Sequence, residues 1–260
     1  MLNGYLKLGR GPQKVMVLSG WFGSSADWDG AANALDLDKF TYVFFDYRGY
    51  GRSMHITGEF TFAEATDDVL RLLDHLRWDR FSLIGHSMGG MAMQRVLLAA
   101  PQRVECMVAI SAVAACGGRM PPERLAMFER GIDDISVREG ILNTSTGSRL
   151  SKAWLTHMAQ LSCDTSLPQA YGAYLRQWAI GEDFSALIEN NPTPVKVIIG
   201  ATDPSMTEER MAGTWLAWYP NAELEIIANA GHYPMQETPA ALAATVQTFL
   251  SAHAGKEGQP

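Results

Sequence analysis

Six short apolar runs alternating with longer amphipathic stretches set the strongest limit on how this 260-residue chain can fold. "KVMVLSG" (14–20), "TYVFFD" (41–46), "RFSLIG" (80–85), "VECMVAI" (104–110), "PVKVIIG" (194–200) and "AELEIIA" (222–228) carry β-branched or aromatic residues and are too short to be helices. They read as strands, several of them apolar enough to be buried on both faces. Residues 61–77, 88–99, 207–218 and 239–253 read as helices. In the first of these, Ala65, Val69, Leu72, Leu73 and Leu76 recur at helical spacing behind a Thr with a Glu three residues on. Such alternation requires crossover connections, hence an α/β fold with a mostly parallel, doubly wound sheet covered on both faces.

One interval breaks the rhythm. Residues 112–193 hold no convincing strand but several helix-like pieces rich in Met, Trp, Tyr and Leu. The expected division is a core of 1–111 and 194–260 with a helical insertion, 112–193, lying on the sheet. The tail "AGKEGQP" is expected to fray. With 47% hydrophobic and 19% charged residues, the chain has the material for one large core. A formal net charge of −7 and the lack of any basic run argue against nucleic acid as a partner. Cys106, Cys116 and Cys163 show no CxxC spacing, so they are expected as reduced thiols rather than disulfides or metal ligands. No apolar stretch reaches the roughly 18 residues of a membrane helix. The first residues lack a signal-peptide core. The expected location is the cytoplasm, with no membrane partner.

The chemistry concentrates where the strand at 80–85 ends. Gly85, Ser87 and Gly89 form G-x-S-x-G between a strand and the helix-like "MAMQRVLLAA". In that sharp turn the serine takes strained backbone angles, so its neighbours two residues away must be small. The hydroxyl is thereby exposed at the carboxyl edge of the sheet, beside the free N–H groups of a helix N-terminus. A serine hydroxyl is a weak nucleophile and needs a base oriented by a third group. Of the six histidines, His232 stands in a glycine-marked loop directly after the strand at 222–228, where it can reach Ser87. His86, beside the serine, is expected to be turned elsewhere. Asp203 follows the strand at 194–200 and is the expected orienting acid; Glu182 and Asp183 are its rivals but lie in the helical interval. The backbone N–H groups of Met88 and Trp21 are the expected oxyanion donors, one just past the nucleophile and one in the loop after 14–19.

These segments together resemble the α/β-hydrolase family over nearly the whole chain: "VLSGW", "FDYRGYGRS", "GHSMGG", "GATDPSM" and "AGHYPMQETP". The resemblance identifies 112–193 with the family's cap domain and implies a carboxylesterase-like serine hydrolase with the triad Ser87, Asp203 and His232. Many members carry His-Gly where this chain has Ser19-Gly20, so Ser19 is expected to anchor the oxyanion loop by hydrogen bonding and to reshape the pocket floor. Ser87 sets the chain apart from relatives with an aspartate nucleophile, the haloalkane dehalogenases and epoxide hydrolases. The "GW" of the oxyanion loop is shared with cofactor-free dioxygenases, and "DYRGYGRS" implies a structural loop.

The helical interval contributes Met120, Met127, Phe128, Trp154, Tyr174 and Trp178. A cleft between it and the sheet should be mostly apolar. Ser19, Met91, Trp154, Tyr174, Trp178 and Tyr233 are the expected pocket residues. The expected substrate is an uncharged, fairly hydrophobic ester of small or medium size, cleaved through an acyl-Ser87 intermediate with no metal and no cofactor. The same constellation serves C–C bond hydrolysis, lactone opening, acyl transfer and cofactor-free dioxygenation, and the fold also serves non-catalytic small-molecule binding.

Overall fold

The computed structural model describes residues 1–253; the tail expected to fray lies outside the described residues. Among these residues seven strands form one sheet: β1 Tyr5–Gly9, β2 Gln13–Leu18, β3 Phe40–Phe45, β4 Phe81–His86, β5 Val104–Ile110, β6 Val195–Gly200 and β7 Ala222–Ile227. Their spatial order is β1-β3-β2-β4-β5-β6-β7. Only β1 runs antiparallel to its neighbour; every other pair is parallel. All of β3 and β4 is buried, as the unbroken apolar runs require of strands covered on both faces.

The helices follow in chain order. Before the fifth strand come α1 Asp29–Ala32, α2 Phe62–His75 and α3 Gly89–Ala99. In the interval 112–193 lie α4 Pro122–Glu129, α5 Ile135–Ser145, α6 Lys152–Asp164 and α7 Pro168–Ile180. The rest are α8 Glu208–Ala212, α9 Trp215–Trp218, α10 Pro234–Glu237 and α11 Pro239–His253. Thr61 caps α2 by accepting from the Glu64 N–H at 3.2 Å. The Glu64 carboxylate reaches back to the Phe60 N–H at 2.8 Å, one residue before the cap. Ala65, Val69, Leu72 and Leu73 are buried, and Leu76 is partly so.

The single helix expected over 207–218 is two. The chain leaves helical angles at Thr214, just past Gly213, where φ is −131° and ψ −94°. The break turns Trp215 into the core, where it is fully buried and its indole N–H donates to the Ala112 carbonyl at 3.1 Å.

Strand order decides where a site can form. The chain passes from β2 outward to β3, then returns across β2 to lay β4 on its other side. Leu18 pairs with Gly85, so the loops leaving β2 and β4 emerge side by side at the carboxyl edge, the usual crevice of such sheets. The loops after β6 and β7 open on the same edge. Asp46, fully buried at the end of β3, fixes the loop after β2 by accepting from the Ser25 N–H and hydroxyl at 2.7 and 3.0 Å, and ties it to the loop after β3 by accepting from the Arg52 N–H at 2.9 Å. Arg48 forks onto Asp68 at 2.6 and 2.9 Å and meets Glu64 at 2.7 Å, which gives "DYRGYGRS" a structural task. No helix among the described residues is long and apolar enough to cross a membrane. The three cysteines are free.

Candidate active site

Ser87 follows β4 with φ at +51°, in the left-handed region. Its N–H donates to the Ile110 carbonyl at 3.0 Å, and its own carbonyl accepts from Gly90 and Val113, each at 2.9 Å. These bonds hold a conformation that costs about 1–3 kcal/mol in a non-glycine residue. The small flanking residues are needed for packing. A β carbon on Gly89 would lie 2.2 Å from the Leu18 carbonyl oxygen, and one on Gly85 would lie 2.5 Å from that of Gly89.

The three groups distant in sequence converge. The Ser87 hydroxyl donates to His232 Nε2 at 2.9 Å, and His232 Nδ1–H donates to Asp203 Oδ2 at 2.7 Å. The other Asp203 oxygen accepts from the N–H groups of Ser205 and Met206 at 2.9 and 3.1 Å. Burial works against the Asp203 charge. His232 and those two amides outweigh it and hold the carboxyl below the usual carboxylate range. A carboxylate at Nδ1 fixes the imidazole tautomer that leaves Nε2 free to accept the serine proton. Glu182 and Asp183 instead pair with Arg95 and Arg119 on the surface.

Groups beyond these three hold His232 in place, and of them Ser145 and Glu237 were not singled out by the sequence. His86 is turned from Ser87, and its Nε2–H donates to the His232 carbonyl at 2.8 Å. Burial pushes its pKa down to about 3, so it stays a neutral prop. The His232 N–H donates to the Ser145 carbonyl of α5 at 3.1 Å. Glu237 accepts from the N–H groups on either side of His232, Gly231 at 2.9 Å and Tyr233 at 3.0 Å, and pairs with Arg149. Glu237 stands five residues past His232 in "AGHYPMQETP", the one sequence signal that marked it.

The oxyanion loop is tied at several points. The Trp21 carbonyl accepts from the Tyr50 hydroxyl at 2.9 Å, and the Trp21 indole N–H donates to the Tyr171 carbonyl at 2.7 Å. The backbone N–H groups of Trp21 and Met88 meet no acceptor among the described residues.

Ser87 and His232 open into a cavity of about 630 Å³. Trp21, Trp178 and Tyr233 line it, as do Met120, Met127 and Phe128. Four expected pocket residues do not. Ser19 is turned beneath the loop, accepting from the Trp28 indole N–H and donating to the Ser24 carbonyl, both at 3.2 Å. Met91 is buried along α3, on the side packed into the core. Tyr174 packs against Tyr47 and Tyr50, with ring centroids 5.3 and 5.7 Å away. Trp154 meets Tyr233 edge-on at 6.1 Å, and Tyr233 takes the cavity side.

A family model described as the alpha/beta hydrolase fold matches residues 14–133. Among curated proteins, the one named "Putative carbamate hydrolase RutD" from Caulobacter sp. is 28% identical over 93% of this chain and 92% of its own. Among solved structures, a hydrolase from Oleispira antarctica superposes with a TM-score of 0.84 at 19% identity, covering 96% of this chain and 94% of that one. An esterase from Exiguobacterium antarcticum gives 0.82 at 21%, covering 95% and 94%. At such identities the likeness to solved structures is one of fold.

Proposed function

Because the chain belongs to the α/β-hydrolase family and is a hydrolase of that fold, we propose that it cleaves a small-to-medium, largely apolar carboxylic ester through an acyl-Ser87 intermediate. The observation that carries this reading is the unbroken hydrogen-bond relay from Ser87 through His232 to Asp203, opening into the cavity. Its apolar walls, among them Trp21, Phe22, Met120, Phe128, Ile141 and Trp178, suit an apolar substrate body. Helices α4–α7 act as the cap that supplies much of that wall.

As Ser87 Oγ attacks the ester carbonyl, its proton passes to His232 Nε2, and Asp203 stabilises the imidazolium. The carbonyl oxygen becomes an oxyanion facing the N–H groups of Trp21 and Met88, each donor worth about 3 kcal/mol of barrier. Collapse expels the alcohol, which takes the proton from His232, and leaves Ser87 acylated. His232 then removes a proton from water as it attacks the acyl carbon. The second collapse frees the acid and returns the proton to Ser87.

Replacement Ser87→Ala is expected to lower p-nitrophenyl acetate turnover by several orders of magnitude and to abolish labelling by a fluorophosphonate, with circular dichroism unchanged. Near-normal turnover in that variant rejects the mechanism. Absence of labelling in the wild-type protein would reduce the chain to a binding member of its family.

A further inference from the structure

The charge lining the cavity is opposite in sign to that of the whole chain. The formal net charge is −7, yet among the described residues no Asp or Glu lines the cavity, whereas Arg124 and Arg210 do. Nearby arginines outside the lining are neutralised: Arg119 by Asp183 at 2.6 Å, Arg95 by Glu182 at 2.7 Å. Among the described residues neither Arg124 nor Arg210 has a carboxylate within ion-pair distance. Carboxylates thus pair with Arg95 and Arg119, whereas the two arginines that line the cavity keep their charge uncompensated by any ion pair among the described residues.

Both guanidiniums are positioned with donors to spare. Arg210, on α8 just beyond the Asp203 loop, reaches the carbonyls of Gly117 and Gly118 only at 3.4 and 3.5 Å. Two long contacts use little of a group that carries five N–H donors. Arg124 lies 5.3 Å from the ring centroid of Phe128, one turn on in α4, and Phe128 is itself a cavity wall. Stacking on the ring face leaves the edge of the guanidinium free. The rest of the lining is apolar, belongs to the Ser87–His232 relay with its neighbour His86, or carries uncharged hydroxyls at Thr144, Ser145, Ser205 and Tyr233, so among the described residues Arg124 and Arg210 are the lining groups that offer an anion a fixed positive charge.

We propose that the substrate carries a carboxylate at the end remote from the scissile ester, and that Arg124 and Arg210 bind it while the apolar walls enclose the chain between. The inference rests on the hydrolase reading above and narrows its substrate class. It also departs from the uncharged ester that the sequence suggests. A carboxylate matches the planar guanidinium fork, and the pair sets binding rather than the chemical step. Binding preference therefore appears chiefly in KM.

The test separates binding from turnover. In Ser87→Ala, which cannot be acylated, Trp21 and Trp178 line the cavity and their fluorescence reports occupancy. Titration with monomethyl adipate and with dimethyl adipate compares one chain with and without the charge. The monoester is expected to bind at least about tenfold tighter. That preference should disappear in R124Q/R210Q on the same background and shrink between about 50 and 500 mM salt. Arg119→Gln, an exposed and already paired arginine off the cavity, should keep it. With the wild-type serine, kcat/KM ratios for carboxylate-tailed and methyl-tailed esters, charged on the acyl or on the alcohol side, should favour the charged member in one series. Equal binding of the two adipates, survival of the preference in the double variant, or its loss in Arg119→Gln overturns the assignment. A preserved binding preference without any ester turnover would uphold the anion site and remove the hydrolase reading.

Discussion

The side chain of Glu237 is only 1% exposed, yet it determines where His232, the proposed base, can stand. One oxygen accepts from the Gly231 N–H and from Arg149, the other from the Tyr233 N–H, so His232 is held between two clamped peptides. Arg149 in turn donates to the carbonyls of Thr146 and Asn229 and to the Thr202 hydroxyl, at 3.1, 3.3 and 2.9 Å. It thereby joins the helical interval to the loops of both the acid and the base. Glu237→Gln keeps the shape but turns one acceptor into a donor, and every partner at this site is already a donor. The better orientation keeps the amide oxygen toward Gly231 and Arg149 and sets N–H against N–H at Tyr233. A buried donor left unmatched costs about 1–3 kcal/mol. Loss of charge assistance at the other two bonds brings the total to about 3 kcal/mol. For a chain of this size that is a fall in Tm of about 6–10 °C. Catalysis should suffer further, since a displacement of about 1 Å in a reacting group costs about a hundredfold in rate. Urea unfolding gives the first number. The second comes from kcat/KM for p-nitrophenyl acetate, measured well below both melting points. If Tm falls as expected while kcat/KM stays at the wild-type value, Glu237 stabilises the fold without placing His232, and the positioning argument fails.

Three further changes test other links. Asp203→Asn removes the group that fixes the imidazole tautomer, so kcat should fall by about 10⁴ with the fold retained; a loss under about tenfold would relieve Asp203 of its role. Gly20→Ala would set a β carbon 2.7 Å from His86 Nδ1 and 3.1 Å from Ser87 Cβ, against a buried, hydrogen-bonded ring that has no room to yield. The oxyanion loop must shift, and kcat should drop by about a hundredfold or more; an unchanged kcat would dispense with the Trp21 N–H as a donor. Burial raises the pKa of Asp27 to about 7 against the opposing bond from Ser24, with Asp46 and Asp29 adding to the rise. The folded state then holds a proton that the unfolded state releases near pH 4, so this group's contribution declines as pH rises from about 4 to 7. His86, buried neutral, slopes the other way over part of that range, so the difference between Asp27→Asn and wild type isolates the aspartate. That difference should grow toward the variant by up to about 4 kcal/mol between pH 4 and pH 8, read from urea midpoints. A flat difference would mean that the carboxyl titrates normally.

What was legible in the sequence and what was not divides along a physical line. Ser87, Asp203 and His232 need no proximity along the chain, because parallel strands all deliver their following loops to one edge. To find the strands is nearly to find the site. The turn at Ser87 is likewise local, since Gly85 and Gly89 are small for reasons confined to one strand–helix crossing. Pocket walls obey no such rule. Trp178 and Tyr174 stand one turn apart on α7, both aromatic and both apt for a cleft, yet only Trp178 reaches the cavity. Tyr174 is claimed by Tyr47 and Tyr50, whose loop reads in sequence as scaffold alone. Ser19 is drawn downward by Trp28, nine residues away, in a bond that no periodicity announces. Arg124 and Arg210 look, as sequence, like ordinary solvated charges. Their meaning appears only when the wall is closed and its carboxylates prove to be elsewhere. The proposed reaction is thus encoded in topology and strand ends, where one sequence suffices, whereas the proposed substrate choice is encoded in which face each helix turns inward. Substitutions at Trp178, Arg124 and Arg210 should therefore change what is bound, while those at Tyr174, Met91 and Trp154 should change how firmly the chain folds.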